Sequence, residues 1–126
     1  MQTFTTIQPT KSTPEVIFDA EEGLLMISGE SYPENSFEFY APIIGWVKKS
    51  LSVSEKLFLS INVSYMNSSS TKCILDLLDL FEEAHRKGVK VSIIWNYDKE
   101  NPRSFDLAEE FQEEVTLPFS IVAFNE

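Results

Sequence analysis

Between residues 56 and 97 the hydrophobic pattern changes period twice, which restricts the fold more than any other feature of the chain. In KLFLSINVSY (56–65), Leu57, Leu59, Ile61, Val63 and Tyr65 fall on one side and Phe58, Ser60, Asn62 and Ser64 on the other. That two-residue repeat predicts a strand. Residues 70–87 change to a helical stripe, with Ile74, Leu77, Leu78, Phe81 and Ala84 inward and Asp76, Asp79, Glu82, Glu83 and Arg86 toward water. Gly88, after the basic turn HRK, is the expected helix stop. Val89, Val91, Ile93, Trp95 and Tyr97 then resume the alternation. A strand–helix–strand unit implies parallel neighbouring strands joined by a right-handed crossover.

The flanking segments extend this unit. Strands are expected over residues 5–8, 15–19 and 24–29, the last two joined by a hairpin at AEEG, where Gly23 can take positive φ. A helix over 36–51 follows, capped by Asn35 or Ser36. Pro42 falls inside it and should kink it or delay its start, because proline cannot donate to the ladder. A third helix, capped by Asn101, runs from near Pro102 to residue 114, and a last strand covers 119–124. The order is βββαβαβαβ. The second face of each long strand carries Ser, Asn and Lys rather than an unbroken apolar run. Helices are therefore expected mainly on one face of a mixed sheet, not on both. No repeat, low-complexity tract or Gly/Ser linker interrupts residues 1–126, which read as one α/β domain.

Charge narrows the partners. Twenty Asp and Glu oppose ten Lys and Arg, a formal net charge of −10. That field repels phosphate backbones and anionic lipid, so neither nucleic acid nor membrane is an expected partner, and basic protein surfaces are. No run of about 18 apolar residues is present. The stretch MQTFTTIQPTKSTPE lacks the basic start and apolar run of a secretory signal, so a cytoplasmic location is expected. Hydrophobic residues make up 43% of the chain, including ten Phe, enough for a packed core. Cys73, the only cysteine, falls in the helical stripe and reads as a small core residue.

Catalytic, metal and cofactor sites are not expected. His85 is the only histidine, and it lies about 25 Å along a helix from Ser68 and about 18 Å from Cys73. No GxGxxG or Walker sequence occurs. The pairs Glu82–Glu83 and Glu109–Glu110 belong to solvated helix faces.

YMNSSS (65–70) is left without a use. One serine hydroxyl is expected to cap the following helix, contributing about 1 kcal/mol. Asn67-Ser68-Ser69 fits the glycosylation sequon, which has no use without secretion. Phosphorylation is the third reading. A phosphoserine at a strand-to-helix junction would sit beside free helix amides while adding a charge of about −1.5 to −2.

This strand–serine loop–helix arrangement resembles STAS domains of the anti-sigma-factor-antagonist type. SYPENS (31–36), YMNSSS (65–70), LFEEAHRKG (80–88), WNYD (95–98) and LAEEF (107–111) together resemble the SiaC-like family of bacterial regulatory phosphoproteins. The resemblance implies a STAS-like fold and a partner switch. A dedicated serine/threonine kinase would phosphorylate the protein and a PP2C-type phosphatase restore it. The unmodified form would bind and activate a diguanylate cyclase, tuning cyclic di-GMP signalling and biofilm formation. It also implies that the acceptor is the hydroxyl residue after Tyr-x-Asn, here Ser68, where relatives often have threonine. Asn67, Ser69 and Ser70 complete that loop. Pro42 departs from the family's uninterrupted first helix. Tyr65, Asp76 and Asp79 are the candidate partner contacts, Trp95 and Tyr97 should pack between sheet and helices, and SYPENS reads equally as a turn and cap. The alternative is a small-molecule-binding STAS-like sensor module, with Ser60, Asn62, Ser64 and Asn96 as its ligand face.

Overall fold

The computed structural model describes residues 4–53 and 56–123. Its elements run β1 (Phe4–Ile7), β2 (Glu15–Asp19), β3 (Leu24–Ser31), α1 (Ser36–Val53), β4 (Lys56–Met66), α2 (Ser68–Arg86), β5 (Lys90–Tyr97), α3 (Pro102–Gln112) and β6 (Phe119–Ala123). The order matches the expected βββαβαβαβ. The far end of the expected last strand, Phe124, lies outside the described residues.

The six strands form one sheet in sequence order. The pairs β1–β2 and β2–β3 are antiparallel, and β3 through β6 are parallel. Successive right-handed crossovers that step the same way across a sheet place their helices on one face. Burial agrees: Leu57, Leu59, Ile61 and Val63 are buried on the helix side, while Phe58, Ser60 and Asn62 on the other side remain partly exposed. The core includes Tyr40, Ile43 and Val47 from α1 and the α2 stripe Ile74, Leu77, Leu78 and Phe81. Cys73 is buried among them. Trp95 stacks on Phe111 at 5.0 Å and Phe119 at 6.4 Å, and Tyr97 meets Phe105 edge-on, so both pack as expected.

Gly23 closes the β2–β3 hairpin at φ 70°, and a Cβ there would stand 2.9 Å from the Lys56 carbonyl oxygen. Gly88 follows the C-cap residue Lys87 with φ 93°, stopping α2 where the sequence places the stop.

Five local expectations need correction. Helix α2 begins at Ser68, two residues before the expected start at residue 70, because polar first-turn residues carry no periodicity signal. Pro42 does not delay α1, which starts at Ser36 and runs through it. Pro42 and Glu38 both face water, so the carbonyl deprived of its amide donor is solvated. Asn101 stands before α3 but its side chain makes no capping bond. Glu82 does not face water: it is buried and accepts from the Thr116 amide at 2.8 Å, the Thr116 hydroxyl at 2.7 Å and the Leu117 amide at 3.2 Å. Finally, Tyr65 leaves the buried face of β4. Gly29 pairs with Val63 and Glu30 with Tyr65, so Ser64 is an extra residue and the alternation slips there. Met66 is buried in place of Tyr65, which is 54% exposed.

Candidate functional site

The bulge sets up the C-terminal edge of the parallel strands, where SYPENS and YMNSSS meet. The Asn67 amide donates to the Ser31 carbonyl at 3.0 Å, and its Nδ2 donates to the Pro33 carbonyl at 3.3 Å. Tyr65 lies edge-on to Tyr32 with ring centroids 5.9 Å apart. The two segments, 34 positions apart at Pro33 and Asn67, form one surface.

Asn67 is the N-cap of α2, its Oδ1 accepting from the Ser70 amide at 2.9 Å. The capping oxygen is therefore an amide oxygen and not a serine hydroxyl, which frees the serines. Two of the three are consumed below the surface. Ser31 Oγ donates to Ser70 Oγ at 2.8 Å and lies 2.7 Å from the Tyr40 hydroxyl. Ser36 Oγ lies 3.0 Å from Ser70 Oγ and 2.7 Å from Ser69 Oγ, and Ser69 Oγ donates to Asn67 Oδ1 at 3.4 Å.

A single direction of donation satisfies every hydroxyl: Tyr40 to Ser31, Ser31 to Ser70, Ser70 to Ser36, Ser36 to Ser69, and Ser69 to the Asn67 oxygen. Burial pushes the Tyr40 phenol up to about 12, opposed in part by the Ser31 hydrogen bond, so it stays protonated as the first donor. Ser31, Ser36 and Ser70 are fully or almost fully buried, and in the relay none is left without a partner. The relay ties the end of β3, the start of α1 and the start of α2 into one unit.

Ser68 differs from its neighbours. It is the first residue of α2, it is exposed, and among the described residues its hydroxyl makes no hydrogen bond. The consecutive serines thus divide into two that hold the loop and one that is spare. Removing one of each separates the roles. Ser70→Ala should destabilise the protein by about 1–2 kcal/mol, since it interrupts a buried relay. Ser68→Ala should stay within about 0.5 kcal/mol of wild type. Urea denaturation of both variants checks this.

The other candidate residues are dispersed. Asp76 pairs with Lys72 at 3.0 Å on the exposed side of α2, and Asp79 is exposed on the next turn. Ser60, Asn62 and Asn96 lie on the sheet face without helices, where Asn96 Nδ2 donates to Ser60 at 3.3 Å. Ser64 is the exposed bulge residue. Sequence reasoning offers Ser36 only as a possible cap of α1, and gives Ser31 and Tyr40 no part in the site. Both ends of SYPENS are serines, but nothing in its pattern indicates that these two turn inward.

Comparison with known proteins places the chain. The sequence profile of the SiaC family regulatory phosphoproteins matches residues 7–124. An uncharacterised protein of Pseudomonas aeruginosa strain UCBPP-PA14 is 45% identical over 121 residues, 95% of this chain and 96% of that one. The crystal structure of apo-SiaC from Pseudomonas aeruginosa superposes with a TM-score of 0.92 at 42% identity, over 97% of this chain and 100% of that one. A second structure, of the diguanylate cyclase SiaD from Pseudomonas aeruginosa in complex with its activator SiaC, gives 0.92 at 44% identity, over 95% of this chain and 99% of that one. With a profile matched almost end to end and a relative this similar over nearly its whole length, the chain belongs to the SiaC family of regulatory phosphoproteins.

Proposed function

We propose that this protein is a partner-switching regulator whose unmodified form binds and activates a diguanylate cyclase. A dedicated serine/threonine kinase phosphorylates Ser68 and releases the cyclase, and a PP2C-type phosphatase restores the hydroxyl. The carrying observation is the division of labour in the serine run. A kinase needs an accessible nucleophile, and Ser68 offers an exposed hydroxyl with no hydrogen bond among the described residues. Ser70 would have to leave a buried relay to react, and Ser69 would have to break its bond to Ser36. The complex of SiaD with its activator SiaC, a relative 44% identical, supports the cyclase as partner.

The chain acts by binding and performs no catalysis of its own. Its one histidine, His85, sits at the far end of α2, about 25 Å from Ser68 along the helix. The binding surface surrounds Ser68 and includes the exposed ring of Tyr65 with Asp76 and Asp79 on α2. It operates in the cytoplasm, where cyclic di-GMP output feeds biofilm formation. Incubation with the cognate kinase and ATP, followed by fragmentation mass spectrometry, should place phosphate on Ser68. Phosphate mainly on Ser69, Ser70 or Thr71 would overturn the assignment.

A further inference from the structure

Helices α2 and α3 leave the same edge of the sheet, α2 from the end of β4 and α3 from the end of its parallel neighbour β5. Two cavities lie along the groove between them. The narrower, of about 110 Å³, has Thr71 and Leu75 of α2 on one wall and Leu107, Glu110 and Phe111 on the other. The second, of about 340 Å³, reaches the sheet edge, with Tyr65 and Met66 on one side and Arg103, Asp106 and Leu107 on the other.

Helical spacing carries these facing walls back to the first turn of each helix. Ser68 precedes Thr71 by three positions and Leu75 by seven, the spacing of one helix side. Arg103 precedes Leu107 by four and Glu110 by seven, so it lies on the side of α3 that faces α2. The exposed Ser68 therefore stands opposite Arg103, one turn before the residues that meet across the narrow cavity. Arg103 is the only basic residue of α3. It is exposed and belongs to neither of the ion pairs found among the described residues, which use Lys72 and Arg86. The charged groups that follow it on this wall, Asp106 and Glu110, are acidic.

We propose that Arg103 is the counter-cation of phospho-Ser68, a latch from α3 to α2 that forms only after modification; this rests on Ser68 as the acceptor. A phosphate monoester presents oxygens that a guanidinium grips in pairs, at roughly twice the strength of a neutral hydrogen bond. Lys72 reaches the same phosphate from α2 but is shared with Asp76 at 3.0 Å. Without Arg103, the added dianion would look across the groove at Asp106 and Glu110. The latch also draws the arginine over the cavity beside Tyr65, so modification alters the candidate binding surface beyond Ser68 itself.

Phosphoserine installed at position 68 during translation tests this on the full chain, and keeps a kinase that prefers another residue as a separate result. With Arg103 present, the modification should move the melting temperature by no more than about 2 °C. In Arg103→Gln it should lower the melting temperature by about 3–5 °C, and Arg103→Lys should recover about half of that difference. Unmodified Arg103→Gln should melt within about 1 °C of wild type, since the arginine is exposed and makes no ion pair among the described residues. Side-chain NMR separates a latch from a general effect of charge. The Arg103 Nε–H signal should shift on modification, together with the amides of Tyr65 and of the first turn of α3, while the Arg86 signal at the far end of α2 stays in place. An equal melting response with and without Arg103, a comparable loss in unmodified Arg103→Gln, or an Arg103 signal that does not move would overturn the proposal.

Discussion

Stoichiometric phosphorylation of Ser68 is expected to weaken binding to the partner cyclase at least a hundredfold while moving the melting temperature of the protein alone by no more than about 2 °C. The fold should tolerate the charge because of where Ser68 sits. It is the first residue of α2, where the leading amides have no carbonyl from a preceding turn and the helix dipole is positive. Lys72 lies one turn on, on the same face, bonded at 3.0 Å to the exposed Asp76. A phosphate at Ser68 can share that ammonium, so local neutralisation is already in place. A partner packed over the start of α2 would strip water from a dianion, at a cost of several kcal/mol. Each 1.4 kcal/mol is tenfold in affinity, and two such steps give the hundredfold. Ser68→Ala should bind like the unmodified protein, and Ser68→Asp, with one charge and less bulk, should fall between. Calorimetric titration against the cyclase and melting of each form alone separate the two effects. Tighter binding on phosphorylation, or loss that tracks unfolding, would remove this mechanism.

Period and punctuation made most of the fold legible, because they are written in nearest-neighbour chemistry. Leu57 to Val63 and Val91 to Trp95 alternate, the α2 stripe repeats helically, and Gly23 and Gly88 stand where positive φ is required. What pattern could not reveal depended on contacts between segments far apart in sequence. Tyr65 belongs to the buried alternation by count, and only the pairing of β4 with β3 inserts Ser64 and turns Tyr65 outward. Ser31 and Ser36 read as ordinary turn and cap residues, and their burial exists only because Ser69 and Ser70 arrive against them. Conversely, the acceptor candidate Ser68 was named through family resemblance. Its environment, the one unspent hydroxyl beside two committed ones, became visible only in three dimensions. Glu82 is an intermediate case. It stands four residues after buried Leu78, the spacing that shares a helix face, but a carboxylate at the edge of an apolar stripe is ordinarily a solvated residue.

The buried carboxylate of Glu82 carries the largest stability effect we expect from one side chain outside the apolar core. It holds the segment between α3 and β6 to α2 by accepting the two Thr116 bonds and the Leu117 amide, with Arg86 Nε 3.3 Å from the oxygen that accepts the Thr116 hydroxyl. The segment leads directly into edge strand β6, and the Pro118 carbonyl accepts from the Ile93 amide at 3.0 Å, so loosening it should loosen that edge of the sheet. Hydrogen bonds to an ionised group contribute about 1.5–3 kcal/mol each, and removing the acceptor leaves the buried Leu117 amide unpaired. Glu82→Gln should therefore cost about 2 kcal/mol at pH 7, and Glu82→Ala about 3 kcal/mol. The Thr116 hydroxyl and amide, aided by Leu117 and Arg86, hold the Glu82 carboxyl below its ordinary value of 4.5, against the opposing effect of burial. A group whose folded value is depressed stabilises fully above its unfolded value, and the contribution is lost as pH falls through the folded one. The gap between wild type and Glu82→Gln should accordingly be constant from pH 7 down to about pH 5 and close progressively below that. Urea denaturation of both proteins at pH 7, 5, 4 and 3 measures the gap directly. Amide exchange at Ile93 and along β6 should quicken in the variant at neutral pH. A gap that persists unchanged to pH 3 would mean that the charge on Glu82 is not what holds the segment.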